Sequence, residues 1–322
     1  MDNRLTTTQT AAPSLAAGTA AAQAVELFAA SMDVKDTSRA LYKRTLNAFF
    51  DWVQQSGRML DGLTIADLIE YKAELFAADK SPLTIASYVN SLRRFYTWAE
   101  SVKLYPNIAG GLKPPKRKQK FRKEPLTAQQ AARLINHEKA ASSARDYAII
   151  NLMLHTGLRC IEVTRANVGD IIYKGGQRIL LVQGKGRDEK DNFVILTDAA
   201  YMPVLEYLNT RPDGRDAAAP LFTSVSNRDR GGRLTTRAVS GIAKRALRSV
   251  GLDAKCFTAH SLRHTAAVSI LEAGGTLQQV QFTLRHSNPA TTQIYTRYFD
   301  EKDRIQNGGE LLLSDYYSRA IS

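Results

Sequence analysis

At 322 residues and 44% apolar content, the chain carries enough hydrophobic sequence for two ordinary domain cores, which excludes wholesale disorder. Its 44 Lys and Arg against 31 Asp and Glu leave a net charge of +13, which suits a phosphate-rich partner whose condensed counterions are released on neutralisation. Only two cysteines, Cys160 and Cys256, exclude a disulfide framework and a multi-cysteine zinc site and fit a reducing, cytoplasmic compartment.

Residues 1–19 are rich in Ala and Thr and read as a flexible lead-in, without the basic start and apolar run of a signal peptide. No later stretch is long and apolar enough for a membrane span, so no membrane partner is expected. Residues 20–107 read as a small all-helical domain of roughly four helices. Tyr42, Leu46, Phe49, Phe50 and Val53 form an apolar stripe that stops at Gly57. Thr64 is placed to cap a third helix carrying Leu68, Tyr71 and Leu75. Ser81 and Pro82 open a fourth, where Ile85, Tyr88, Val89, Leu92, Phe95, Tyr96 and Ala99 recur at three and four residues. Arg93 and Arg94 fall off that stripe, toward solvent or DNA.

Residues 108–125 form a basic hinge, in which Gly110, Gly111, Pro114, Pro115 and Pro125 break regular structure. Lys116, Arg117 and Lys118 sit among further cations there. This is either a solvated linker or a strap along a DNA backbone, and the charge excess elsewhere favours the strap.

From residue 126 to 322 helix and strand mix. "ARDYAIINLMLHTG" reads as a buried helix ended by Gly157, followed by three short strands. The first two are joined through Lys174-Gly175-Gly176, and the third runs from Phe193 to Leu196. Thr235, Thr258, Thr276 and Asn288 sit where helix caps belong, with Pro289 at a first helical position. The fold class expected is mainly α with a small antiparallel β-sheet. Arg237, Lys244 and Arg245 lie on one predicted helix, where DNA contact and surface solubility explain them almost equally well.

Four segments carry reactive residues: "HTGLRCIEV", "VQGKGRDE", "HSLRHT" and "LRHSNPATTQIYTRY". Singly they are weak. Arg159 can cap a helix C-terminus, Lys185 can be an exposed turn lysine, and His260 with Arg263 a surface pair. His286 can be a satisfied core histidine and Tyr295 a buried aromatic. Together they suit phosphodiester transesterification, which needs a nucleophile, cations on the non-bridging oxygens and a proton for the leaving oxygen. Two arginines offer planar forks to phosphate that lysine cannot match.

Over most of its length the sequence resembles the tyrosine recombinases, also called phage integrases. The family signature is an arginine in a Thr-Gly-Leu-Arg turn, a β-hairpin lysine, His-x-x-Arg, a later His or Trp, and a tyrosine nine residues on. Arg159, Lys185, His260, Arg263, His286 and Tyr295 supply it in order, and Glu162 matches an acidic residue that buttresses the site. The resemblance implies a helical, SAM-like core-binding domain followed by a catalytic domain. It implies a 3′-phosphotyrosine intermediate, strand exchange through a Holliday junction, and no metal or other cofactor. The partners implied are double-stranded recombination sites, three further protomers on DNA and room for accessory proteins, in the bacterial nucleoid; the C-terminal "GGELLLSDYYSRAIS" segment reads equally as a tail docked on a neighbour or as a terminal helix packed on its own domain. One residue departs from the pattern: Arg285 stands where the family usually has glycine, which alters local backbone geometry or adds a phosphate contact. Tyr298, three residues past Tyr295, reads as packing.

Three other readings compete with this one. A metal enzyme would use His260 and His264 at i and i+4, but Ser261 stands where a catalytic glutamate belongs and Arg263 repels a cation, so His264 reads as structural. A type IB topoisomerase uses nearly the same residues without a specific site, and a non-catalytic DNA-binding protein has no use for the nucleophile.

Overall fold

The computed structural model describes residues 17–116, 123–184, 187–227, 229–286, 288, 291–296, 299, 304–305 and 308–321. Two compact units divide the chain, Met1–Lys118 and Gln119–Ser322.

The first unit holds α1 (Ala17–Ser31), α2 (Asp36–Gln55), α3 (Ile65–Ala77) and α4 (Pro82–Ser101). Their starts follow local chemistry. Ser81 Oγ accepts the Thr84 N–H at 3.2 Å, and Pro82 fills the first helical position, where no N–H is needed. At α3 the Asp67 carboxylate takes the Thr64 N–H at 2.8 Å. The apolar stripes then meet: Phe28, Leu46, Phe49, Leu68, Ile85, Leu92 and Phe95 are all buried in one core. Within it Phe28 and Phe95 stand edge to face with centroids 5.6 Å apart. A buried Thr45–Ser91 hydrogen bond of 2.8 Å joins α2 to α4.

The second unit is built around α6 (Ala144–Thr156), whose Ala148, Ile149, Ile150, Leu152 and Met153 are fully buried. Packed on it are α5 (Ala128–Ala141), α8 (Asp198–Asn209), α9 (Thr236–Ser249) and α10 (Ala259–Glu272). Short α7 (Cys160–Arg165) follows α6, and α11 (Leu277–Leu284) follows α10. Strands β1 (Ile171–Lys174), β2 (Gln177–Val182) and β3 (Asn192–Ile195) form an antiparallel sheet in that order. The β1–β2 turn is only two residues, Gly175 (φ 58°) and Gly176 (φ 77°), both left-handed as the twist of a tight hairpin requires. Lys174 thus belongs to the strand, paired with Gln177. Leu180, Val182 and Val194 face the core. At the end of the chain, Gly309–Ile321 is helical and leaves Leu311, Leu312, Leu313, Tyr316 and Tyr317 more than half exposed. No described helix is long and apolar enough to cross a membrane.

Candidate active site

The site begins where α6 ends. Gly157 takes the left-handed conformation (φ 60°) and returns its N–H to Met153 O at 3.0 Å, which turns the chain sharply. Buried Leu158 anchors the turn, and Arg159 emerges at the N-cap of α7. Glu162, with its side chain 0% exposed, orients it: the carboxylate accepts the Arg159 backbone N–H (2.8 Å) on Oε2 and Arg159 Nη1 (2.8 Å) on Oε1. Oε2 also accepts Arg285 Nη2 at 2.7 Å. Burial pushes the Glu162 carboxyl up, but Arg285, the Arg159 N–H and the Arg159 guanidinium outweigh it and hold the group below the ordinary range.

Helix α10 contributes His260, Arg263 and His264. It starts with the Thr258 N–H donated to Ser261 Oγ at 3.1 Å, while Thr258 Oγ1 is buried without a partner among the described residues. His260 is exposed, whereas Arg263 is 2% exposed and reaches across the unit. Its Nη1 donates to the Gly157 carbonyl at 2.5 Å and its Nη2 to the Leu284 carbonyl. Arg263 therefore pins both the turn before Arg159 and the end of α11. Burial, then Arg159 and Arg285, lower its pKa to about 9, so it stays charged at neutral pH. The His260 and His264 rings meet edge to face with centroids 4.6 Å apart. Partial burial, then the Arg263 and Arg159 charges, hold His260 below its ordinary value. Burial and the neighbouring His260 bring His264 down to about 3.

The third segment follows α11. His286 Nδ1 lies 2.9 Å from Thr292 Oγ1, and burial, then Arg263 and Arg159, push the ring down to about 4. Residues 293–296 are helical and carry Tyr295, 1% exposed among Ala267, Val268, Val280 and Leu284. Its hydroxyl sits 2.7 Å from His264 Nδ1. With His264 neutral, a single hydrogen bond joins the imidazole to the phenol oxygen. Burial raises the phenol to about 12 against the pull of Arg263 and Arg159, so it is protonated at neutral pH.

Arg159 stands between two cavities. One, of about 350 Å³, is lined by Arg159, Ser240, Thr258, His260 and Arg263. The other, of about 270 Å³, is lined by Arg159, Gly184, Arg187, Arg285, His286 and Asn288. The structure thus gathers Arg159, His260, Arg263 and His286 from three distant segments and sets Tyr295 behind them, through His264. Lys185 lies outside the described residues; its neighbour Gly184 lines the second cavity, where its carbonyl accepts Arg165 Nη1 at 2.9 Å. Arg117, Lys118 and Tyr298 also lie outside them.

The remaining basic candidates divide by what they touch. Lys116, Arg93 and Arg237 are exposed. Arg94 is exposed too, but donates to the Tyr42 hydroxyl at 2.6 Å and lies over that ring. Lys244 braces the loop before α10 through the carbonyls of Asp253 (2.8 Å) and Ala254 (3.1 Å), and Arg245 reaches Asp146 at 3.4 Å. His264, which the sequence marks as structural, is the residue that contacts the Tyr295 hydroxyl. The signal for its place was its spacing, one turn beyond His260 on the same helix. Among the described residues no three His, Cys, Asp or Glu side chains converge to hold a metal ion.

Residues 124–302 match the phage integrase family, and residues 34–103 match its N-terminal SAM-like domain. The chain belongs to the phage integrase family. It is 32% identical over 267 residues to tyrosine recombinase XerC of Corynebacterium glutamicum, a match covering 81% of each chain. It is 27% identical over 291 residues to tyrosine recombinase XerD of Oceanobacillus iheyensis, covering 89% of this chain and 94% of that one. Among solved structures it shares its fold with the XerH site-specific recombinase bound to a palindromic difH substrate. That match has a TM-score of 0.71 at 19% identity and covers 89% of this chain and 83% of XerH.

Proposed function

We propose that this integrase-family chain is a site-specific DNA recombinase that cuts and rejoins strands by transesterification through Tyr295. The observation that carries the reading is the gathering of Arg159, His260, Arg263 and His286 around two cavities that share Arg159, with the Tyr295 hydroxyl joined to helix α10 by His264. Arg159 keeps 28% of its side chain exposed and is the cation best placed to donate to a non-bridging phosphate oxygen. Arg263 supplies a second positive charge from beneath, and His260 and His286 supply ring N–H groups at the two cavity mouths.

In the reaction the Tyr295 oxygen bonds to phosphorus as its proton leaves, and the bond from phosphorus to the 5′ oxygen breaks. The departing oxygen takes a proton, in this reading from Lys185. The product is a 3′-phosphotyrosine, which the 5′ hydroxyl of a partner strand attacks in turn to exchange strands through a Holliday junction. One ester replaces another at each step, so no energy source is needed. Tyr295 is buried beside His264, so engaging a phosphate requires the segment bearing it to shift when DNA binds.

DNA as partner is supported by the family and by the net charge of +13. In this reading residues 20–107 form the core-binding domain, 108–125 a strap on the DNA backbone, and 126–322 the catalytic domain. Four protomers act on two sites in the bacterial nucleoid, and the exposed Leu311, Leu312 and Leu313 seat the tail on a neighbour. The test uses a duplex that the protein itself selects from a randomised pool, nicked so that the short released fragment bearing the 5′ hydroxyl diffuses away. A DNA band retarded by covalently attached protein on a denaturing gel is expected. Its absence, with binding intact, would reduce the chain to a DNA-binding protein.

A further inference from the structure

Arg285 ends α11 in the left-handed region, at φ 55° and ψ 48°, a conformation a residue with a side chain holds only when its surroundings enforce it. The surroundings are specific. The side chain is 4% exposed and turns back beneath the site, giving Nη2 to Glu162 Oε2 at 2.7 Å and Nη1 to the Thr283 carbonyl. Its Nε is buried without a hydrogen-bond partner among the described residues, and the residue lines a cavity with Arg159 and His286.

A carboxylate facing an arginine usually accepts two parallel N–H bonds from it. Glu162 does not. Its Oε2 accepts the Arg159 backbone N–H and Arg285 Nη2, and Oε1 accepts Arg159 Nη1. Neither Nη2 nor Nε of Arg159 is spent on Glu162. Three arginines, Arg159, Arg187 and Arg285, line this cavity against the one carboxylate, that of Glu162.

We propose that Arg285 is a positioning residue for DNA cleavage: by claiming one oxygen of Glu162 it keeps Arg159 held by one nitrogen, with the rest of its guanidinium turned to the phosphate. The inference rests on the reading of Arg159 as a phosphate-binding group. Arg285 touches Glu162 and not the reacting atoms in this arrangement, so its effect passes through Glu162.

The experiment measures single-turnover formation of the covalent complex on the selected, nicked duplex, alongside DNA affinity and thermal melting. Arg285→Gly removes the side chain without backbone strain. It is expected to slow cleavage by about tenfold to a hundredfold, the scale typical of outer partners that orient a directly acting group, with the dissociation constant for DNA changed by less than about threefold. Arg285→Lys keeps charge and backbone strain but loses the fork, and should fall between glycine and wild type. In a Glu162→Gln background the effect of Arg285→Gly should shrink to less than about threefold, which a merely structural role would not produce. Wild-type cleavage by Arg285→Gly, or an undiminished loss in the Glu162→Gln background, overturns the proposal. Should the glycine variant fail to fold, Arg285→Lys decides alone: slowed cleavage at unchanged melting temperature and affinity upholds it, and a wild-type rate overturns it. Failure of the wild-type protein to form any covalent complex would instead overturn the cleavage reading beneath it.

Discussion

The Nδ1 of His264 lies 2.7 Å from the hydroxyl of Tyr295, tying a phenol that is 1% exposed to the helix that also carries His260 and Arg263. Tyr295 and the helix that carries His260 and Arg263 are thus joined by a neutral imidazole. Removing that ring leaves the buried phenol with one hydrogen bond fewer. His264→Ala should cost about 1–3 kcal/mol of stability, read from urea denaturation. Tyr295→Phe should be better tolerated in that background than in the wild type, with a coupling of about 1 kcal/mol. Strictly additive losses would mean that the contact has no energetic weight.

The same imidazoles make the fold sensitive to acid. Burial holds His264 near 3 and His286 near 4 in the folded protein, against an ordinary value of 6.5. Between about pH 6.5 and pH 4 the unfolded chain therefore binds more protons than the folded one, and stability falls as pH drops through that window. Above it the contribution is constant. Melting temperatures at pH 7, 5.5 and 4.5 should decline, and less steeply in a His264→Asn, His286→Asn double variant. Equal declines would assign the acid response to other groups.

Arg159→Ala tests the partly exposed arginine that both cavities share. It should slow single-turnover cleavage by about a hundredfold to a thousandfold, the scale of losing one preorganised donor to a developing charge. DNA affinity should change by less than about threefold, because the basic surface elsewhere is intact. A loss of affinity that accounts for the whole fall in cleavage would make Arg159 an anchor for DNA only.

Gly157 is where fold and chemistry meet. At φ 60° it holds a left-handed turn, a Cβ there would sit 2.5 Å from Leu284 Cδ2, and its carbonyl receives Arg263. Gly157→Ala should destabilise the protein by about 1–3 kcal/mol. It should also slow cleavage beyond what the lost stability explains, because the turn aims Arg159. Unchanged melting would show that α11 yields easily.

What could be read from the sequence was local. Ser81-Pro82 opens α4, Gly157 closes α6 and Gly175-Gly176 turns the hairpin because each acts on its own few residues. The stripes of α2 and α4 were legible because a period of three to four is enough to mark a buried face. The site residues were legible only as a set, and their arrangement was not. His260 and Arg263 share a helix face by spacing, yet the first is exposed while the second is buried against Gly157 and Leu284, contacts made far away in the chain. In the sequence Arg285 stands out only as a departure from the family's usual glycine; its partner Glu162 lies 123 positions earlier, and no local rule pairs them. The phenol of Tyr295 found His264 for the same reason, through the packing of one helix on another.

The central claim is that the Tyr295 oxygen becomes esterified to DNA. Protease digestion of the complex trapped on the nicked duplex, followed by mass spectrometry, tests it at the atom in question. The account predicts a nucleotide adduct on the Tyr295 side chain, lost in Tyr295→Phe while DNA binding persists. An adduct on Tyr298 or any other residue, or a covalent complex that survives Tyr295→Phe, would contradict it.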